Sequence, residues 1–236
     1  MGDKFEQIRS SRKQRFFLAA KSAAAWFVLM AMIFAMAGRL DYKQGWIFGG
    51  LNLLILAALI QFFPELPSIM RERAKKGPET KSWDRIFWVF FGPMNLLVFV
   101  LAVLDGGRFQ WTQDLPLALS GAMAFIYVLG GALHFSAIRA NAFYTSTVSI
   151  HCQQGHKVVQ DGPYRFVRHP GYSGILLMMG SIPLVLGSLW ALISAAGVGV
   201  LIVIRTILED KSLKNELPGY KEYALSVKSK LFPGLW

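Results

Sequence analysis

The sequence predicts an all-α, polytopic integral membrane bundle of about six spans, on three observations: an apolar composition, apolar runs of bilayer length, and the placement of the cations. Of the 236 residues, 54% are hydrophobic and 14% aromatic, and only 17% are charged. The mean hydropathy of +0.41 points to lipid rather than to a soluble core.

Four runs, at about 16–38, 45–63, 86–104 and 116–138, each supply the roughly 20 apolar residues that cross about 30 Å of hydrocarbon. The first is expected to stay in the mature chain, because about 15 polar and basic residues precede it and a second span follows at once. A fifth apolar region, 172–208, would be about 55 Å long as one helix, nearly twice the bilayer core. It reads instead as a helical hairpin broken near 183–188, where Pro183 and Gly187 fall together.

Cations test that choice, since Lys and Arg of short loops are retained on the cytoplasmic side. With a hairpin, the clusters Lys4 to Lys21, Arg71 to Arg85, Arg139 to Arg168 and Arg205 to Lys230 all fall inside, and only Arg39, Lys43 and Arg108 fall outside. Both termini are therefore expected in the cytoplasm of a membrane of the bacterial inner-membrane type. The chain divides into an N-terminal four-span region, 1–138, and a C-terminal unit, 139–236, made of a connector, the hairpin and a tail.

The same census disposes of nucleic acid. A net charge of +11 would suit it, but the basic residues are scattered over four juxtamembrane segments and no nucleic-acid-binding motif is present. Cys152 is the sole cysteine, which excludes an intrachain disulfide and a multi-cysteine zinc site. His151, Cys152 and His156 read as a polar loop, because adjacent ligands cannot easily face one ion and no fourth is evident; no metal is expected. The spans carry no Asp, Glu, Lys or Arg near a midplane, which argues against an ion-coupled carrier. His134, alone on an apolar helix, is expected to make an interhelical hydrogen bond.

Functional groups concentrate in 139–172 and 205–236, on either side of the hairpin. The run from Asp161 to Tyr172 joins a Gly-Pro turn, two arginines, an imidazole and two tyrosines directly before a span. One account makes Pro170 a helix start, Arg165 and Arg168 lipid anchors and the tyrosines an interfacial belt. The other uses His169 as well: backbone N–H groups at the helix start, imidazole and phenols line a pocket at the membrane surface. Arg205 and Glu209, four apart, project from one helix face; they could line that pocket or form an intrahelical ion pair worth a few tenths of a kcal/mol. An amphipathic stretch, 221–230, and an apolar end are expected to lie on the membrane surface over the pocket.

These residues resemble the isoprenylcysteine carboxyl methyltransferase family and its relatives, the membrane phospholipid methyltransferases. GHKVVQDGPYRFVRHPGYSG (155–174), RTILED (205–210) and LPGYKEY (217–223) carry the resemblance, in order and with the right spacing; the first four spans match only as generic helices. The resemblance implies an S-adenosylmethionine-dependent membrane enzyme whose cofactor is enclosed by connector, hairpin and tail. Carried over by position, cofactor contacts fall on His156, Lys157, Val158 and Val159, on Tyr164, on His169, Pro170, Gly171 and Tyr172, and on Glu209. Arg205 corresponds to the residue that faces the methyl acceptor, so the catalytic roles rest on Arg205, Glu209 and His169. Ser149 stands where the eukaryotic pattern has a glutamine contact, and the family's doubled acid is here Glu209-Asp210.

The chemistry is coherent with that resemblance. A sulfonium cation bearing adenine, carboxylate and ammonium needs an acidic partner, backbone donors and aromatic or apolar walls. Glu209, the helix-start N–H groups, Tyr164 and Tyr172 are of the required types. A lipidic or prenylated acceptor is expected, most like a prenylcysteine carboxylate. A phospholipid amine is the alternative, followed by a small thiol, and outside enzymes by a non-catalytic membrane scaffold.

Overall fold

The computed structural model describes residues 2–63, 81–113, 115–141, 143–145, 147 and 157–236, with side chains from residue 16 onward. Apolar stretches of the sequence become helices whose ends fall at Gly and Pro. Helix α1 (Gly2–Ala37) stops at Gly38, whose φ of +69° is left-handed. Helix α2 (Lys43–Phe62) follows, then α3 (Ser82–Val103), continued by one wider π turn at Leu104–Phe109. Pro116 precedes α4 (Leu117–Ala140), and Pro170 opens α5 (Pro170–Val185) at its first position, where the missing N–H is harmless. A 3-10 turn at Gly162–Arg165 before α5, helix α6 (Ala191–Glu216) and the short α7 (Tyr220–Ser226) complete the described elements.

Five stretches among the described residues are long and apolar enough to cross a membrane: Phe16–Ala37, Lys43–Phe62, Ser82–Phe109, Leu117–Ala140 and Ala191–Glu216. The protein is a multi-pass, all-α integral membrane protein. Large apolar side chains such as Phe27, Leu54, Val89, Phe125 and Ile193 face outward, as they should where the surroundings are hydrocarbon. The third span begins at Ser82, earlier than the apolar run, because Trp83 and the buried Asp84 are already inside the fold. At 16 residues, α5 is about 24 Å long, shorter than the other apolar helices.

Two contacts orient the C-terminal helices. Helices α3 and α6 run antiparallel: Lys81 at the start of α3 donates to both carboxylate oxygens of Glu216 at the end of α6, at 2.9 and 2.7 Å. At the opposite end, Asp105 accepts from the Thr112 backbone N–H (2.7 Å), the Thr112 hydroxyl (2.7 Å) and the Ser188 hydroxyl (2.6 Å). Ser188 in turn caps α6 by accepting from Ala191 N–H at 3.0 Å. A fully buried carboxylate is tolerable only with such a set of donors, and this one locks the 186–190 turn to the π turn of α3.

Helices α4 and α5 make the closest approach. A Cβ on Gly174 would lie 2.5 Å from the Gly130 carbonyl oxygen and one on Gly130 2.7 Å from that of Gly174, so only glycine lets these backbones touch. His134 bridges the same pair, its Nδ1 lying 3.0 Å from the Gly171 carbonyl oxygen, which makes it the interhelical hydrogen-bonding group expected. The apolar core, including Ile33, Phe48, Val98, Tyr127, Val185 and Val198, gathers α1 to α6.

Candidate active site

A cleft open to solvent lies where α4 ends, α5 begins and α6 ends. Its walls come from three segments. The end of α4 and the chain after it supply Asn141, Phe143, Tyr144, Thr145 and Thr147; the connector and helix start supply Lys157, Val158, Val159, Tyr164, Arg168, His169, Gly171 and Tyr172. The end of α6 and the tail supply Glu209, Leu213, Leu217, Tyr220 and Tyr223.

Of the predicted site residues, Lys157, Val158, Val159, Tyr164, His169, Gly171, Tyr172 and Glu209 therefore meet on one cavity. Pro170 is buried behind them as the first residue of α5. His156 and the His151–Cys152 pair lie outside the described residues. Arg205 is not part of the cavity wall. Its guanidinium lies behind Tyr172, 5.4 Å from that ring, and its Nη2 is 2.9 Å from Asp84 Oδ1 of α3. The Arg205 ion pair thus reaches across to another helix rather than one turn along its own, and Glu209 instead accepts from the Tyr172 hydroxyl.

Several polar groups hold the walls in place. Arg168, buried to 5% exposure, forks onto Asp210 through Nε (2.7 Å) and Nη2 (3.2 Å), and its Nη1 donates to the carbonyls of Val227 and Lys228. That overturns the lipid-anchor reading for Arg168; Arg165 is exposed. Asp210 also accepts from the Tyr220 hydroxyl at 3.0 Å, lies 2.9 Å from Lys214 Nζ and 3.4 Å from His169 Nε2. Burial first, and then the Asp210 charge, push the Tyr220 hydroxyl far above the ordinary tyrosine range, so it remains a donor. The His169 ring stacks on Tyr172 at 5.7 Å with 8° between planes.

The tail packs on the start of α5. Its helix ends at Ser226, and in the segment that follows the carbonyl of Ser229 accepts from Arg168 N–H (3.0 Å), that of Lys230 from His169 N–H (2.9 Å), and that of Leu231 from the Ser173 hydroxyl. The tail carbonyls thereby occupy two of the backbone donors that the helix start would otherwise offer an anion. Sequence reasoning also missed Tyr144 and Asp84. Tyr144 packs where a Cβ on Gly171 would come within 2.9 Å of it, so the glycine is what lets this ring close the cavity floor. Asp84 stands two residues before the apolar run at 86–104, and nothing in the sequence pairs it with Arg205.

The donor set fits S-adenosylmethionine. One carboxylate, Glu209, faces the cavity together with the cationic Lys157, several phenols, and apolar walls from Val158, Leu213 and Leu217. Cation-accepting, anion-accepting and ring-stacking surfaces are all present.

Comparison with known proteins agrees with this geometry. Residues 122–215 match the model of the isoprenylcysteine carboxyl methyltransferase family. Two proteins described as probable protein-S-isoprenylcysteine O-methyltransferase, from Oryza sativa subsp. indica and subsp. japonica, are each 40% identical over 42 residues, 18% of this chain. The match spans 22% of the length of those relatives. A solved structure of the eukaryotic intramembrane Ras methyltransferase, an isoprenylcysteine carboxyl methyltransferase, superposes with a TM-score of 0.55 at 16% identity, covering 99% of this chain and 86% of that one. That likeness concerns the fold. Residues 122–215, which contain the α4–α6 walls of the cavity, are thus the part of the chain that is similar to the isoprenylcysteine carboxyl methyltransferase family.

Proposed function

We propose that the protein is a membrane methyltransferase that uses S-adenosylmethionine to methylate a lipidic acceptor, of the prenylcysteine carboxylate class. The observation that carries the reading is the convergence of Tyr172, His169 and Glu209 on one cavity at the junction of α4, α5 and α6. When bound, S-adenosylmethionine supplies an electrophilic methyl group on a sulfonium sulfur. The chain's own residues bind, orient and exclude water. Glu209 receives the ammonium group, while Lys157 is of the charge type for the carboxylate. Tyr164, Tyr172 and the stacked His169 provide flat walls for adenine or sulfonium. Arg205, one turn from Glu209 on the same helix, corresponds by resemblance to the acceptor-facing residue; here it backs Tyr172, with its fork held by Asp84.

In this reading α5 and α6 form a hairpin across the bilayer, giving six passes with both termini and the cavity on the cytoplasmic side, and the unit 139–236 is the methyltransferase core. The tail encloses the cofactor by holding Arg168 and His169 from behind. A carboxylate is ionised on arrival and needs no base, which suits a site whose Glu209 is already engaged by Tyr172.

Purified protein incubated with methyl-labelled S-adenosylmethionine and a lipid extract tests the reading. Label released from the lipid fraction by mild base as methanol identifies a methyl ester and supports it. Base-stable label on an amine headgroup moves the assignment to a phospholipid amine, and no transfer from folded protein contradicts the enzyme altogether.

A further inference from the structure

We propose that the turn formed by residues 231–236 is a membrane-interface anchor. Its apolar side chains enter the upper acyl layer of a phospholipid bilayer at the cavity end of the bundle, with Lys228 and Lys230 at the level of the lipid phosphates. The inference does not depend on what the cavity binds.

Depth is the observation that carries it. On the outward side of α6 the exposed residues change from Ile204 and Ile207 to Lys211, so the hydrocarbon edge lies within that turn of helix. The start of α5 is level with it, since the Tyr172 hydroxyl donates to Glu209 and Arg168 forks onto Asp210. The chain after α7 then runs inward along α5: the Ser229 carbonyl meets Arg168 N–H, the Lys230 carbonyl meets His169 N–H, and the Leu231 carbonyl meets the Ser173 hydroxyl. Ser173 is about 4.5 Å of helical rise past Pro170, the first residue of α5. Leu231 therefore reaches the hydrocarbon edge, and the residues after it turn there.

The turn is built for that place. The N–H groups of Lys230 (2.7 Å) and Leu231 (3.2 Å) both donate to the Trp236 oxygen, and Leu235 N–H donates to the Phe232 carbonyl at 3.2 Å. These bonds occupy backbone groups that hydrocarbon could not satisfy. Leu235 is 79% exposed and Trp236 40%. A lone exposed leucine is ordinary in water. At this depth, however, the two side chains extend the lipid-facing surface that Ile204 and Ile207 mark on α6. The Lys230 ammonium lies 3.8 Å from the centroid of the Trp236 ring, and Lys228 is exposed. An indole with cations beside it suits the headgroup layer, where the ring takes the apolar side and the lysines reach for phosphate. Seating the turn in lipid also steadies the cavity, because the same tail carbonyls hold Arg168 and His169 of its wall.

Spin labels read the depth directly. Full-length protein carrying Cys152→Ser is placed in nanodiscs of phosphatidylcholine and phosphatidylglycerol, with a single nitroxide at Leu235→Cys. Phe27→Cys in the first span serves as the hydrocarbon reference and Glu222→Cys on α7 as the water reference. Power saturation compares collisions with oxygen, which partitions into lipid, and with a water-soluble nickel chelate. The labels at 235 and 27 are expected to collide more with oxygen, and the label at 222 more with nickel. A label at 235 open to nickel puts the turn in water, and one shielded from both reagents puts it under protein; either result overturns the proposal. If Leu235→Cys does not fold, Trp236→Phe decides. The emission lost in that variant should be the part that lipids brominated in the upper acyl chain quench in wild type, and if those lipids do not quench it the proposal falls. Neither measurement reads methyl transfer, so failure of the proposed function and failure of this inference are told apart.

Discussion

Asp210 and Glu209 are neighbours in sequence with separate tasks. Asp210 is 3% exposed and serves Arg168, Tyr220 and Lys214, of which Arg168 and Tyr220 also line the cavity. Glu209 is on the cavity wall. Removing one partner of a buried charge pair leaves the other uncompensated, typically a loss of about 3 to 5 kcal/mol, so Asp210→Asn should lower the thermal unfolding midpoint strongly. Lys214→Ala, at the more exposed edge of the same network, should lose less than about 1 kcal/mol. Equal midpoints for Asp210→Asn and wild type would show that the network does not hold the tail. The pH dependence of turnover reports on the acceptor. A carboxylate of pKa about 4 is ionised throughout the range from about pH 6 to 8, so the rate should be nearly flat there; an amine of pKa about 10 must lose a proton first, and the rate should climb with pH.

Among the elements, the α4–α5 pair carries the geometric demand. At Gly174 a Cβ would meet the Gly130 carbonyl at 2.5 Å and the His134 nitrogen at 2.7 Å, whereas at Gly180, on the same helix, it would meet nothing within 4 Å. Gly174→Val should therefore force the helices apart, losing about 1 to 3 kcal/mol and displacing Gly171 and Tyr172 from the cavity wall. Gly180→Ala should be neutral or gain up to about 1 kcal/mol from reduced backbone freedom in the unfolded chain. Thermal unfolding of the two variants checks the contrast, and a Gly174→Val protein as stable and active as wild type would contradict the close-contact account. Much of this level was legible in the sequence. Apolar run length gave the spans at 16–38, 45–63 and 116–138 to within a few residues, and Pro170 marked the start of α5. What could not be read was the contact between distant elements. Nothing local points from Asp84 to its partner Arg205, 121 positions away, and only the folded chain shows which tail carbonyls meet Arg168 and His169.

For the whole molecule, lipid contact sets the fold and the cavity sets the function. The outward apolar surface leaves the polar networks two places to gather, at Asp105 on one end and at the cavity on the other. Reporter fusions at both termini should signal the cytoplasm, as the distribution of cations requires; a C-terminal reporter on the far side would separate Glu209 from the connector and contradict the hairpin. Most residues of the cavity wall were recognisable in sequence because they cluster locally at 157–172 and at 209. The central claim, that this cavity holds S-adenosylmethionine through Glu209, is tested most directly by calorimetric titration of S-adenosylhomocysteine into wild type and Glu209→Gln. The account predicts saturable binding to wild type and a loss of about 1 to 3 kcal/mol in the folded variant, where a charged hydrogen-bonding partner has been removed. Absence of saturable binding to folded wild type, or equal affinity in both proteins, would contradict it.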